Sequence, residues 1–286
     1  MKKNSLSIIF LFICNVFCSV WAQTPEDFVT VRNICWKIQK GGKGIVHKQA
    51  QVPNLYGGTQ NINIIEIDGR KKNIKYGIAA ENPNKKLSKI ATEHKAEAAI
   101  NGSYFNMLEG QSVCYLRLNG NVIDTTSLSE FNGRTNGIVL IDKQKIEIEA
   151  WNKSKEIAGT EFPTALASGP LMIKNGNVCD FSTVSQSFIN TKHPRSAICI
   201  TRDKKILLVT VDGRHEGNAI GINIRELAHL VKLLGAYDAL NLDGGGSTSL
   251  WLKQAEENGI VNCPSDNRTF DHRGERRIAN AIYIYK

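Results

Sequence analysis

Several common signatures are missing from this chain. After residue 17 no apolar run is long enough to cross a bilayer, which excludes a helical membrane protein for the body of the chain. Seven cysteines occur without a single CxxC pair, which argues against the usual zinc frames. Neither GxxxxGK nor GxSxG occurs, so a P-loop and a nucleophile-elbow serine are both ruled out. Lysines are scattered (Lys71, Lys72, Lys85, Lys86, Lys204, Lys205) and form no basic stripe interleaved with aromatics, so no nucleic-acid partner is expected. There is no internal repeat, low-complexity tract or linker.

What remains is an ordinary globular composition over 286 residues, with 42% hydrophobic and 22% charged residues, enough for a sizeable core. The first 22 residues stand apart. Lys2 and Lys3, an apolar run over residues 8–17 and Ala22 before Gln23 form the pattern of a secretory signal peptide, so export to the periplasm, cell surface or medium is expected. A lipoprotein through Cys18 is the other reading, with a poorer flanking sequence. Removal of Lys2 and Lys3 lowers the formal charge from +9 to +7. Five cysteines then remain, an odd number, so at least one thiol stays free or pairs between chains. Cys199, inside an apolar strand pattern, reads as a small buried hydrophobe.

The rest reads as one domain over residues 23–286. Residues 23–60 look like an irregular N-terminal arm or a pair of edge strands. Residues 62–67 alternate as a strand. A helix is expected over residues 83–95, with Pro83 at its start and Leu87, Ile90 and Ala91 on one face. Four hairpins follow, at residues 113–123, 137–150, 171–178 and 197–211, the first and third turning at Asn119-Gly120 and Asn175-Gly176. One helix is well signalled over residues 224–234, with Asn223 and Glu226 as a capping box and Gly235 as its stop. Strands at 239–242 and 277–285 complete the chain. Hairpins with few helices indicate an α+β fold with a large, mainly antiparallel or mixed sheet.

Four polar clusters adjoin these strands. Asn101-Gly102-Ser103-Tyr104-Phe105-Asn106 follows one, and His193-Pro194-Arg195-Ser196 precedes another. Taken alone, the first is a plain turn and His193 an exposed turn residue, while the planar fork of Arg195 suits phosphate. In Val211-Asp212-Gly213-Arg214-His215-Glu216, Asp212 and Glu216 are candidates for acid and base, and Arg214 for neutralising an anion. In Asn241-Leu242-Asp243-Gly244-Gly245-Gly246-Ser247-Thr248, the glycines let backbone approach a ligand and offer amides for an anion nest. A crossover through the helix 224–234 sets the strands before Asp212 and Asp243 parallel, with both carboxylates at one edge. From the residues alone, this is an anionic-ligand site bearing carboxylates.

Together the clusters resemble the phosphodiester glycosidase family. The likeness rests on Asn101-Gly102-Ser103-Tyr104-Phe105, Ser168-Gly169-Pro170, Pro194-Arg195-Ser196-Ala197, Val211-Asp212-Gly213-Arg214 and Asn241 through Thr248, and covers residues 95–286. It implies hydrolysis of a sugar-1-phosphodiester to free sugar and a phosphomonoester. Asp243 or Asp212 would act as base or nucleophile, with Glu216 as a further carboxylate. Arg195 and Arg214 would hold the phosphate. Asn101, Gly102, Gly244, Gly245, Gly246, Ser247 and Thr248 would shape the pocket. No cofactor is expected. The alternatives are a metal-dependent phosphodiesterase, with a divalent cation on Asp212 and Asp243, and a non-catalytic glycan-binding module.

Overall fold

The computed structural model describes residues 23–286, so the expected signal peptide lies outside the described residues. The fold is α+β and its strand pairings are all antiparallel. The largest sheet has eight strands in the order β1 (Lys37–Lys40), β2 (Ile45–Leu55), β3 (Gly58–Asp68), β14 (Lys205–Val211), β13 (Arg195–Thr201), β15 (Ala236–Asn241), β11 (Leu171–Lys174) and β12 (Asn177–Val178). A five-stranded sheet runs β7 (Asn121–Asp124), β6 (Leu116–Leu118), β10 (Thr164–Ser168), β8 (Gly137–Asp142) and β9 (Lys145–Ala150). A four-stranded sheet runs β16 (Leu250–Leu252), β5 (Ala98–Asn101), β17 (Arg277–Tyr285) and β4 (Lys75–Lys86). Helices are short: α1 (Pro25–Arg32), α2 (Leu87–Glu93), α3 (Leu128–Gly133), α4 (Lys153–Ala158), α5 (Gln186–Asn190) and α6 (Ile224–Leu233).

The central strands of the eight-stranded sheet are buried on both faces, and strand periodicity sorts their side chains. Ile62 and Ile64 of β3, Ala197 and Cys199 of β13, and Leu207 and Val209 of β14 pack with α6. Their neighbours Ile65, Ile67, Ile198, Ile200, Ile206 and Leu208 face the opposite way, into a core shared with the two smaller sheets. Helix α6 is held as its sequence requires. Asn223 Oδ1 accepts from Glu226 N–H at 2.9 Å, and Glu226 returns the bond to Asn223 N–H at 2.8 Å. Ile224, Leu227, Leu230 and Val231 are fully buried, each contributing about 1.5–3 kcal/mol of apolar transfer. Gly235, at φ +96°, ends the helix.

Two expectations change. Of the two readings of residues 23–60 the irregular arm falls and the strands hold: the segment forms α1, the edge strand β1, and β2 between β1 and β3. Helix α1 has its own capping box, Thr24 with Asp27, and Asp27 Oδ1 also accepts from Tyr56 N–H at 2.8 Å, which ties the segment to the sheet. The helix expected from Pro83 begins at Leu87, because β4 pairs with β17 as far as Lys86. Cross-strand pairing overrides the proline signal there, while the buried face of Leu87, Ile90 and Ala91 is as expected. The five described cysteines are all free thiols, and Cys199 is fully buried. Among the described residues no helix is long and apolar enough to cross a membrane.

Candidate functional site

The crossover from β14 through α6 to β15 leaves those two strands parallel, with β13 running antiparallel between them. The start of β13 and the ends of its two neighbours therefore share one sheet edge. Arg195 opens β13 opposite Val211, Asp212 follows β14, and Asp243 lies just past β15. The four-stranded sheet closes on this edge through β5. Asn101, buried at its end, donates to the Asp243 carbonyl at 2.7 Å and accepts from Ser196 Oγ at 2.7 Å and Ser249 N–H at 3.1 Å. Asp243 N–H donates to Gly102 O at 2.9 Å. A Cβ on Gly102 would lie 2.1 Å from Asn280 Oδ1, so only glycine fits. Asn101 and Gly102 join the two sheets under the site.

Asp243 is partly exposed, and its Oδ1 accepts from Gly244 N–H at 2.9 Å. Burial raises its pKa, while Ser247, Arg134 and the Gly244 amide pull it down. Ser247 Oγ stands near this carboxylate without a well-formed hydrogen bond, and the Thr248 hydroxyl is likewise buried without a partner. The glycine run differs from an open anion nest. Gly245–Ser247 is a 3-10 turn. Gly245 N–H donates to Pro194 O at 2.8 Å, and the Ser247 and Thr248 amides to Gly244 O and Gly245 O, each at 3.2 Å. Most of these amides are consumed by the fold, so the run acts chiefly by close approach. Gly245 has φ +60° and carries the Arg214 guanidinium against its Cα, and Gly246 lies under the Asp266–Arg276 ion pair.

Arg195 is buried at 1% exposure. Its donors reach only main-chain carbonyls: Ile222 at 3.2 Å, Phe188 at 3.0 Å and Thr191 at 2.8 Å. Its guanidinium lies 4.7 Å from the Phe188 ring centroid. Among the described residues it has no ion-pair partner, and burial pushes its pKa down to about 10. Arg134 approaches from α3. It stacks 3.6 Å from the Tyr104 ring centroid and makes a two-pronged pair with Glu130, both bonds 2.8 Å. Tyr104 is anchored in turn by its hydroxyl, which accepts from Asn241 Nδ2 at 2.9 Å. Glu130, Arg134, Phe188, Thr191 and His193 line a cavity of about 440 Å³.

Two sequence candidates stand elsewhere. Asp212 reaches the edge but turns inward, fully buried. Its oxygens accept from Asn61 Nδ2 at 2.7 Å, Asn262 Nδ2 at 2.9 Å and Cys263 N–H at 3.0 Å. Desolvation outweighs these bonds and raises its pKa to about 6. Fully buried and held by three donors, Asp212 is a buckle between sheet and loop, not a group open to substrate. Glu216 stands exposed in the tight turn closed by the His215–Ala219 bridge, a position that does not bring it to the other carboxylates. Arg214 is exposed, at φ +65°, beside Gly245. Of the two carboxylates offered for a cation, Asp212 already accepts three hydrogen bonds and Asp243 faces Arg134, so neither is free of competing partners.

Arg134, Glu130 and Phe188 were not singled out from the sequence. The only local trace is the Glu130–Arg134 spacing on a short helix, which reads as a surface pair.

Comparison with known proteins identifies the family and the fold. Residues 94–285 match the phosphodiester glycosidase family. The human N-acetylglucosamine-1-phosphodiester alpha-N-acetylglucosaminidase is 28% identical over 216 residues, covering 70% of this chain and 40% of that protein. The chain thus spans well under half the length of this curated relative. The catalytic domain of the zebrafish enzyme of the same name, auto-inhibited by its pro-peptide, superposes with a TM-score of 0.66 at 18% identity, covering 88% of this chain and 89% of that one. A hypothetical protein from Synechocystis gives a TM-score of 0.66 at 19% identity, over 88% of this chain and 64% of that one. The family match spans most of the chain and includes every cluster at the shared edge: the chain belongs to the phosphodiester glycosidase family.

Proposed function

We infer that this protein is an exported hydrolase that cleaves the glycosidic bond of a sugar-1-phosphodiester, releasing free sugar and a phosphomonoester. The observation that carries this reading is Arg195, a buried guanidinium with no ion-pair partner. A buried cation held only by neutral carbonyls and an aromatic ring keeps an unpaired charge, and a bound anion relieves that cost. The diester phosphate takes this place, with Arg134 as a further cation near Asp243 and Arg214 beside Gly245. Phosphate carries off the bonding pair well, so the protein needs one carboxylate to direct water or attack the anomeric carbon. Asp243 has that role because, unlike Asp212, it keeps surface open. The names of the relatives, which specify N-acetylglucosamine on a phosphodiester, support the substrate class.

The test is hydrolysis in oxygen-18 water of a panel of sugar-1-phosphodiesters. Label is expected in the released sugar; label in the phosphate would mean P–O cleavage and would overturn the reading. Export is tested by mass spectrometry of the protein recovered outside the cytoplasm, where Gln23 is expected as the first residue.

A further inference from the structure

His193 leads into β13 and has no part in the reading above, on which this inference rests. Its backbone is pinned on both sides: its N–H donates to Ile222 O at 3.2 Å and its carbonyl accepts from Ile222 N–H at 3.1 Å. The next carbonyl, that of Pro194, accepts from Gly245 N–H, so the residue hangs from a point fixed against the Asp243 loop. The imidazole itself makes no hydrogen bond to any described residue. It is half-buried and lines the cavity with Glu130, Arg134, Phe188 and Thr191. Arg195 and Arg214 act on the ring, and Glu130 and Arg134 line the same cavity. Burial lowers the pKa of the ring from its ordinary value, and repulsion from Arg195 and Arg214 adds to this. Arg134 lines the same cavity but is paired with Glu130, and Lys192 turns away to Glu226 at 3.0 Å. A ring this well placed and this free of partners is suited to hold a proton for the oxygens that the arginines bind.

We propose that His193 is a catalytic residue that contacts the leaving phosphate and donates its proton. As the bond between the anomeric carbon and oxygen breaks, the electron pair passes to the phosphate oxygen, and the imidazolium proton follows it. Water supplies the oxygen that joins the anomeric carbon, and its proton passes to Asp243. That proton leaves to solvent, and His193 takes up another before the next turnover. A phosphomonoester binds its second proton near pH 6, so donor and acceptor are matched. The negative charge of the bound diester offsets the two arginines, so the ring holds its proton more readily in the complex than in the free enzyme.

Two measurements decide. For a sugar-1-phosphodiester that the wild type hydrolyses, kcat is expected to fall on the alkaline side. His193→Gln should lower kcat about 100-fold, flatten that fall, and leave KM and the melting temperature nearly unchanged. A variant that keeps kcat, or that loses activity while retaining the alkaline fall, overturns the proposal. NMR of the imidazole during titration with inorganic phosphate is the second measurement, and does not depend on turnover. The ring pKa should rise on saturation, and an unmoved pKa overturns the phosphate contact. Absent sugar release with a phosphate-shifted ring would instead refute the glycosidase reading while leaving the contact in place.

Discussion

Replacing Asp212 by alanine separates a structural carboxylate from a chemical one. The substitution strands three buried donors, the side-chain amides of Asn61 and Asn262 and the Cys263 N–H. The Asn262 amide cannot simply turn over, because its Oδ1 accepts from Leu250 N–H at 2.8 Å and its Nδ2 also donates to Thr248 O at 3.1 Å. Each orphaned donor costs about 1–3 kcal/mol, so about 6 kcal/mol is lost in the middle of that range. Against this, the carboxylate is itself penalised: its pKa stands at about 6 where 3.8 is usual, and removing it recovers about 3 kcal/mol at pH 7. The net loss is about 3 kcal/mol, or roughly 6–12 °C in melting temperature for a domain of this size. Asp243→Asn, whose one well-formed contact is with Gly244 N–H, should melt within about 2 °C of wild type and lose kcat by a factor of about 1,000. Differential scanning calorimetry and sugar-release kinetics on both variants check this. An Asp212→Ala protein that melts with the wild type yet is inactive would refute the assignment of Asp212 to structure.

The remaining predictions concern charge, pH and close approach. Thermal shift should show that a phosphodiester analogue stabilises the wild type by at least about 2 kcal/mol at 100 times its Kd, and leaves Arg195→Met unmoved; equal shifts would sink the anion site. Since burial raises the Asp243 pKa, and the ionised form is the working one, kcat should rise with pH through a midpoint above 3.8. A pH–rate profile that stays flat down to pH 4 would contradict this. Gly213→Ala puts its Cβ 2.8 Å from both Gly221 Cα and Pro194 N, so it should cost about 2–3 kcal/mol in urea unfolding. Gly246→Ala meets only the ends of Asp266 and Arg276, which can swing aside, and should cost less than about 1 kcal/mol. Sugar release should survive EDTA, and its abolition would restore the metal-dependent alternative.

Local chemistry in the sequence was enough for the elements that carry their own instructions. The α6 capping box, the Asn-Gly hairpin turns and the period-two apolar runs each act between residues close along the chain, so β6–β7, β8–β9, β11–β12, β13–β14 and α6 were legible. A strand–helix–strand crossover sets its two strands parallel, which put the residues after β14 and β15 at one edge. Long-range pairing was not legible. It extended β4 past Pro83 to Lys86, and it drew residues 23–60 into α1 and the sheet edge through contacts such as Asp27 with Tyr56.

Residue types and spacing brought Asp212, Asp243 and the glycine run to one edge, and the family resemblance added Arg195. They could not say which way each side chain turns. That depends on donors far away in sequence: Asn61 and Asn262 saturate Asp212, while Asp243 is left open beside Arg134, which sequence had given no reason to notice. A carboxylate's role is set by what fills its lone pairs. Only the packing of three sheets brings those partners to the same edge.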